Sequence, residues 1–171
     1  SRNIVSAGFR IVNGFCWGVG SAVINGALEA VYERPDRYSE DQLIMRPFPQ
    51  FETGEKKIPD LWEEYRQRMI SLAGIAVFII GNKNDREGNI ISANGVKREF
   101  EIAISQGLIP IPIAATGYIT QEIFDEIFKA PEKYYVGMEW AIPIIKELAY
   151  DKLTADEIIQ KVITIIQTIN K

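Results

Sequence analysis

The groups that could do chemistry in this chain are polar or charged residues set beside glycines. The first is Gly14-Phe15-Cys16-Trp17-Gly18-Val19-Gly20-Ser21. Glycine lets backbone amides approach a phosphate closely, and a helix starting after such a loop offers free N–H groups and a favourable dipole. The loop is not a Walker A motif, because no Lys-Ser/Thr pair follows it. It is not a dinucleotide fingerprint either, because position 23 is Val23 where a third glycine is needed. A plain strand-to-helix turn would carry the same glycines. The second group is Tyr65-Arg66-Gln67-Arg68, with Arg66 four residues after Trp62 and Arg68 four after Glu64. Arginines at that spacing also form ordinary surface ion pairs of little energetic weight. The third is Gly81-Asn82-Lys83, directly after the most apolar stretch of the chain. A lysine there either points into the ligand crevice of an open α/β sheet and meets an anion as a point charge, or is an ordinary loop lysine in water. The fourth is Asn94-Gly95-Val96-Lys97-Arg98-Glu99. It places a carboxylate in the first turn of a helix, where it suits a ribose hydroxyl pair. The helix dipole would favour the same glutamate without any ligand.

Composition removes many alternatives. Among 171 residues there is no histidine and one cysteine, Cys16. That excludes Ser-His-Asp triads, Cys-His pairs, histidine-bound zinc or haem, internal disulfides and four-thiolate metal sites. No carboxylate cluster has metal-ligand spacing, so no metal or cofactor is expected. Cys16, without a histidine partner, is expected to line the loop and not to act as a nucleophile. Nineteen basic against 23 acidic residues give a net charge of -4, without the basic stripe of a nucleic-acid binder. The apolar run from Ile75 to Ile80 is far too short to span a membrane. A single free thiol and a start unlike a signal peptide point to the cytoplasm.

The elements that must position these groups follow from periodicity. Phe9 to Asn13 reads as a strand, and the helix after the glycine loop has apolar Val23, Ala27, Ala30 and Val31, with Ser21 as its N-cap. Gln42 to Phe48 is a second strand. Asp60 caps a helix to about Leu72, ended by Gly74. Ile75 to Ile80 is apolar throughout, as in a parallel strand buried on both faces. A long Gly/Asn/Asp-rich loop follows, then a helix over Val96 to Gln106 with Gly107 as its C′ residue. Leu108 to Ala114 is a fourth strand whose two prolines suit an edge or a sheet end. Two or three helices close the chain, the last opened by a Thr154–Glu157 capping box. Its apolar positions Ile158, Ile159, Val162, Ile163, Ile165, Ile166 and Ile169 exceed one narrow stripe and ask for burial on two sides. The alternation specifies an α/β fold, a Rossmann-like doubly wound and mostly parallel sheet with helices on both faces.

The blocks GFCWGVGSAVINGALE, LIMRPFPQ, WEEYRQRMI, IAVFIIGNK and GVKREFEIAISQGLIPIPIAATGY, in that order, resemble the SLOG domain of the NAD-depleting effectors of Thoeris anti-phage systems. More distantly the chain is similar to the lysine-decarboxylase-like LOG proteins, whose PGGxGTxxE motif matches ANGVKRE. The resemblance implies one SLOG domain over residues 1–171, with the C-terminal helices from about 138, and no counterpart of the family's first strand before Ser1. It implies a sensor without catalysis of its own. The ligand would be a cyclic ADP-ribose isomer made by a TIR-domain protein, and binding would switch on a sirtuin-like NADase domain. It further implies a homo-oligomer through SLOG contacts, with neither nucleic acid nor membrane as partner. The ligand-binding residues it implies are Gly18, Gly20, Ser21, Arg66, Lys83, Gly95 and Glu99, with Phe15, Trp17, Asn82 and Glu101 beside them. Cys16-Trp17 replaces the family's common Gly-Leu, which adds an aromatic face to the crevice. Two other readings remain open here. One is a LOG-like nucleotide phosphoribohydrolase with Glu99 as catalytic carboxylate, although Val96 breaks the Gly-Gly-x-Gly-Thr pattern. The other is a module whose helices only assemble oligomers.

Overall fold

Short β-branched and aliphatic runs pair in parallel wherever a helix can return the chain. The computed structural model describes residues 1–15, 19–52 and 54–171, and the chain divides into two units, Ser1–Ala73 and Gly74–Lys171. In the first, helix α1 (Arg2–Ser6) precedes strand β1 (Ile11–Asn13), helix α2 (Val19–Glu33), strand β2 (Leu43–Met45) and helix α3 (Ile58–Ile70). β1 and β2 pair in parallel with Ile11 opposite Leu43 and Asn13 opposite Met45. The helix between them makes this a βαβ crossover. Val5, Ala27, Ala30, Val31 and Tyr38 form the core, flanked by Ile11 and Leu43. The small Ala27 and Ala30 let α1 lie close on α2. The Tyr38 hydroxyl donates to the Ser6 carbonyl at 2.5 Å.

Two expected helix starts are displaced here. α2 opens at Val19, so Ser21 is an exposed first-turn residue and not the N-cap. α3 opens at Ile58 behind Lys57, because Pro59 pre-sets the first-turn φ. Asp60 therefore supports that turn through the dipole and does not cap it. α3 closes at Ser71, whose hydroxyl donates to the Arg68 carbonyl at 2.9 Å, and Gly74 takes no part.

The second unit pairs β3 (Ile75–Phe78) in parallel with β6 (Ile109–Pro112). Pro110 and Pro112 are tolerated because β6 has a ladder partner on one edge only among the described residues. Burial of β3 on both faces is not found. Successive side chains alternate in direction. Phe78 packs edge-on against Phe100 at 5.7 Å, while Val77 is 38% exposed. The expected long loop contains an antiparallel ribbon, β4 (Asn82–Asn84) and β5 (Ile90–Ser92), with Lys83 opposite Ile91. Asp85 builds its turn by accepting from the Glu87 and Asn89 amides, both at 2.8 Å. The Asn89 side-chain and backbone donors hold the Asp85 carboxyl below its ordinary range.

Helix α4 (Asn94–Ser105) ends as expected, with Gly107 in the left-handed region at φ 77°. Helices α5 (Ile119–Ile127), α6 (Ala141–Glu147) and α7 (Ala155–Ile169) follow. The Thr154 hydroxyl accepts from the Glu157 amide at 3.3 Å, and Glu157 accepts from the Thr154 amide at 2.8 Å. On α7, Val162, Ile165 and Ile166 are buried and Ile158, Ile159, Ile163 and Ile169 half-buried. Lys161 pairs with Glu147 and ties α7 to α6. Phe100, Ile111, Ile123, Ile127, Tyr135, Ile145, Leu148 and Ile165 make a core of large side chains. The observed architecture is α/β, parallel strand pairs flanked by helices, as a SLOG fold of Rossmann type requires.

Candidate functional site

In the first unit the candidate groups gather where β1 ends. Asn13 is buried at the last strand position. Its Nδ2 donates to the Gly20 carbonyl at 3.2 Å, and its Oδ1 accepts from the Phe15 amide at 3.0 Å. One side-chain amide thus fixes both ends of the glycine loop. Close approach explains two of its glycines. A Cβ on Gly14 would lie 2.8 Å from the Phe48 ring, and one on Gly20 would lie 3.0 Å from the Phe15 carbonyl carbon. Gly20 is buried in the first turn of α2, and Phe15, at φ 53°, is exposed. Cys16, Trp17 and Gly18 lie outside the described residues.

The structure separates the two arginines of α3. The Arg66 guanidinium carbon is 5.2 Å from the Phe48 ring centroid and 6.0 Å from that of Trp62. Phe48 leans on Tyr65 at 5.5 Å, and the Trp62 indole donates to the Pro49 carbonyl at 2.6 Å. A planar cation on a braced aromatic platform keeps its N–H fork in a fixed plane, which suits bidentate contact with phosphate. Arg68 is 80% exposed and 3.6 Å from Glu64. Lys56 also binds Glu64 and holds its carboxyl below the ordinary range.

In the second unit the organising residue is Gly81, at φ 76°. A Cβ there would collide with Ile119 and touch Val96 at 3.4 Å, and its carbonyl accepts from the Ala93 amide at 2.8 Å. The segment after β3, the opening of α4 and the opening of α5 therefore converge on one residue that must be glycine. Ile80, at φ 58°, is locked beside it. Its amide donates to the Thr116 hydroxyl at 2.7 Å, and its carbonyl accepts from the Thr120 hydroxyl at 3.1 Å. Asn82 and Lys83 are exposed on β4, two residues from this junction. Lys83 is thus carried on a ribbon and not on the tip of β3, because left-handed Ile80 and Gly81 end that strand.

Gly95 lies in the first turn of α4, whose N-cap, Ala93, supplies no side-chain cap. In α7, by contrast, Thr154 supplies that cap. The expected first-turn position of Glu99 is corrected. α4 opens at Asn94, so Glu99 falls in the second turn, half-buried, and the N-terminal dipole does not account for it. Glu101 is exposed and pairs with Arg98 at 2.8 Å. Lys97 pairs with Glu126 and lies 5.0 Å from the Phe100 ring centroid, a packing role.

Asn13, Thr116, Tyr118 and Thr120 were not singled out by spacing. The signals for them are a polar residue ending the run IVN, and threonines bracketing Gly117-Tyr118 after LIPIPIA. Among the described residues no group of three His, Cys, Asp or Glu side chains could hold a metal ion, and no helix is long and apolar enough to cross a membrane. The first unit offers an arginine on aromatic rings, which suits anions, and the second a lysine and a half-buried carboxylate, which suit an anion and hydroxyls.

Comparison with known proteins assigns the scaffold. The family described as Sir2- and TIR-associating SLOG, STALD, matches residues 1–169. The NAD(+) hydrolase ThsA of Cytobacillus dafuensis is 49% identical over 135 residues, 79% of this chain and 27% of the relative. The NAD(+) hydrolase ThsA of Bacillus cereus (strain MSX-D12) is 36% identical over 171 residues, 99% of this chain and 35% of the relative. That of Acinetobacter baumannii (strain 532279) is 35% identical over 158 residues, 90% of this chain and 32% of the relative. The chain spans about a third of the length of these relatives.

Proposed function

As this chain belongs to the Sir2- and TIR-associating SLOG family, we propose that it is a signal-binding regulatory domain of an NAD hydrolase in anti-phage defence. Its ligand is a cyclic ADP-ribose isomer supplied by a TIR-domain protein. Arg66 and Lys83 meet the phosphates, the amides of the glycine loop and of the α4 opening assist them, and Glu99 accepts from ribose hydroxyls. The domain itself catalyses nothing. It passes occupancy to a sirtuin-like NADase domain through a homo-oligomer in the cytoplasm.

The observation that carries this reading is the match of relatives named NAD(+) hydrolase over about a third of their length. The chain that covers this third has no histidine. Arg66 on its aromatic platform supports it, since a guanidinium suits a phosphate, and so does the Gly81 junction, since the ribbon that carries Lys83 departs from it.

Calorimetry with the cyclic ADP-ribose isomers tests it. One isomer is expected to bind saturably, and Arg66→Ala and Lys83→Ala each to weaken it by roughly 2–4 kcal/mol. No heat with any isomer overturns the reading. So does adenine release from AMP that is lost in Glu99→Gln, which would make the domain a hydrolase.

A further inference from the structure

Among the described residues, the non-glycine residues with positive φ are Phe15, Ile80 and Tyr118. Each lies on the segment leaving the C-terminal end of a parallel strand, β1, β3 or β6, the edge where open α/β sheets take ligands. Ile80 is a half-buried part of the Thr116–Thr120 lock. Tyr118 differs from it. At φ 55° and ψ −140° it holds a conformation that side chains with a Cβ avoid, following Gly117 at φ 74°. Its ring is 45% exposed, so burial does little to offset that strain. Its neighbours hold it in place: Thr116 and fully buried Thr120 both bond Ile80, and Ile119 abuts Gly81. Strained residues that the surroundings over-determine gather at ligand sites.

Tyr118 directly precedes Ile119, which packs on Gly81 at the junction from which the Asn82-Lys83 ribbon departs. We propose that Tyr118 is a base-stacking residue of the second unit, laying its ring on the nucleobase of an anionic nucleotide. The inference rests on the reading above and adds the recognition of the base, for which Lys83, Gly95 and Glu99 have no flat apolar surface. Stacking on an aromatic ring tolerates any base and is lost when the ring is removed. The phenol hydroxyl is not required for it.

The test is calorimetry and thermal melting of the chain with the cyclic ADP-ribose isomer that it binds. Tyr118→Ala is expected to lower affinity roughly 5- to 100-fold, and Tyr118→Phe to stay within about 3-fold. Tyr118→Gly is expected to lose affinity like the alanine variant while melting at a higher temperature, because glycine adopts this backbone without strain. Unchanged affinity in Tyr118→Ala, with the parent chain binding, overturns the base-stacking role and leaves the sensor reading standing. Loss in Tyr118→Phe equal to that in alanine makes the hydroxyl the contact and also overturns stacking. A lower melting temperature for Tyr118→Gly makes the ring a structural prop and overturns the role as well. If the parent chain binds none of the isomers, it is the sensor reading that fails, before any variant is compared.

Discussion

The glycine loop after β1 and the junction after β3 both hold polar groups at strand ends, by different means. At the first, one buried amide, Asn13, spans the loop and aromatic rings orient a cation. At the second, two hydroxyls grip a left-handed residue and a glycine admits two neighbouring elements. The cores beneath them differ in the same sense. The first unit buries mainly small side chains such as Ala27, Ala30 and Val31, whereas the second buries Phe100, Ile123, Ile145 and Leu148. Strain is held only where packing opposes its release, and of the non-glycine positive-φ residues among those described, Ile80 and Tyr118 belong to the unit with the larger buried side chains.

The contrast breaks first, if it is wrong, on core truncation. Phe100→Ala removes a ring that meets Phe78 edge-on and stacks with Tyr134, and is expected to cost about 3–5 kcal/mol in denaturant unfolding. Val31→Ala should cost roughly 1.5–3 kcal/mol. Equal losses would erase the difference between the cores. Next in size is the amide clamp. Asn13→Ala should destabilise by roughly 1–3 kcal/mol and speed hydrogen exchange at the Phe15 amide. Thr120→Val, near-isosteric, should cost only about 1 kcal/mol, because the Ile80 carbonyl keeps the Thr120 amide at 3.4 Å.

A smaller effect sharpens the comparison through pH. Burial raises the Tyr135 hydroxyl above its ordinary value of 10.0, and that hydroxyl donates to the Pro110 carbonyl at 3.0 Å. With the folded value raised, its contribution is fully present below pH 10 and is lost as pH rises further. Unfolding followed between pH 9 and 11.5 should show that loss in the parent chain and a flatter profile in Tyr135→Phe. The variant's own cost near neutrality should be about 1 kcal/mol. The smallest expected effect belongs to Arg68→Ala. It should change stability by less than about 0.5 kcal/mol and leave ligand affinity unaltered, in contrast to Arg66→Ala.

Much of this was legible in the residues themselves. Contiguous Ile, Val and Leu marked the parallel strands, and Thr154–Glu157 and Gly107 marked helix ends, because those signals are local and the contacts that confirm them are local too. The β4–β5 ribbon was not legible. Ile90 and Ile91 are adjacent and do not alternate, and Asp85 holds its turn through a side chain, not through a dipeptide signature. The sequence pattern places the opening of α2 three residues late and that of α4 two, since Gly18 and Ala93 before them carry no capping side chain. At the site, residue types suggested anion contact. What separates Arg66 from Arg68 is Phe48, 18 positions before Arg66 in the chain and invisible to local spacing. Tyr118 was hidden for a related reason, because its importance lies in a dihedral angle.

The ribbon that carries Lys83 has a consequence for how binding can be watched. Ile90 and Ile91 project from opposite faces and both are exposed, so neither face of β4–β5 rests on a core. A two-stranded ribbon without such support is marginally stable in water. Its amides therefore exchange through local opening at a free energy well below that of the whole fold. An anion that draws Lys83 into a fixed position must also close that opening. The exchange rates of amides 82–92 then serve as an occupancy gauge built into the chain, one that needs no label.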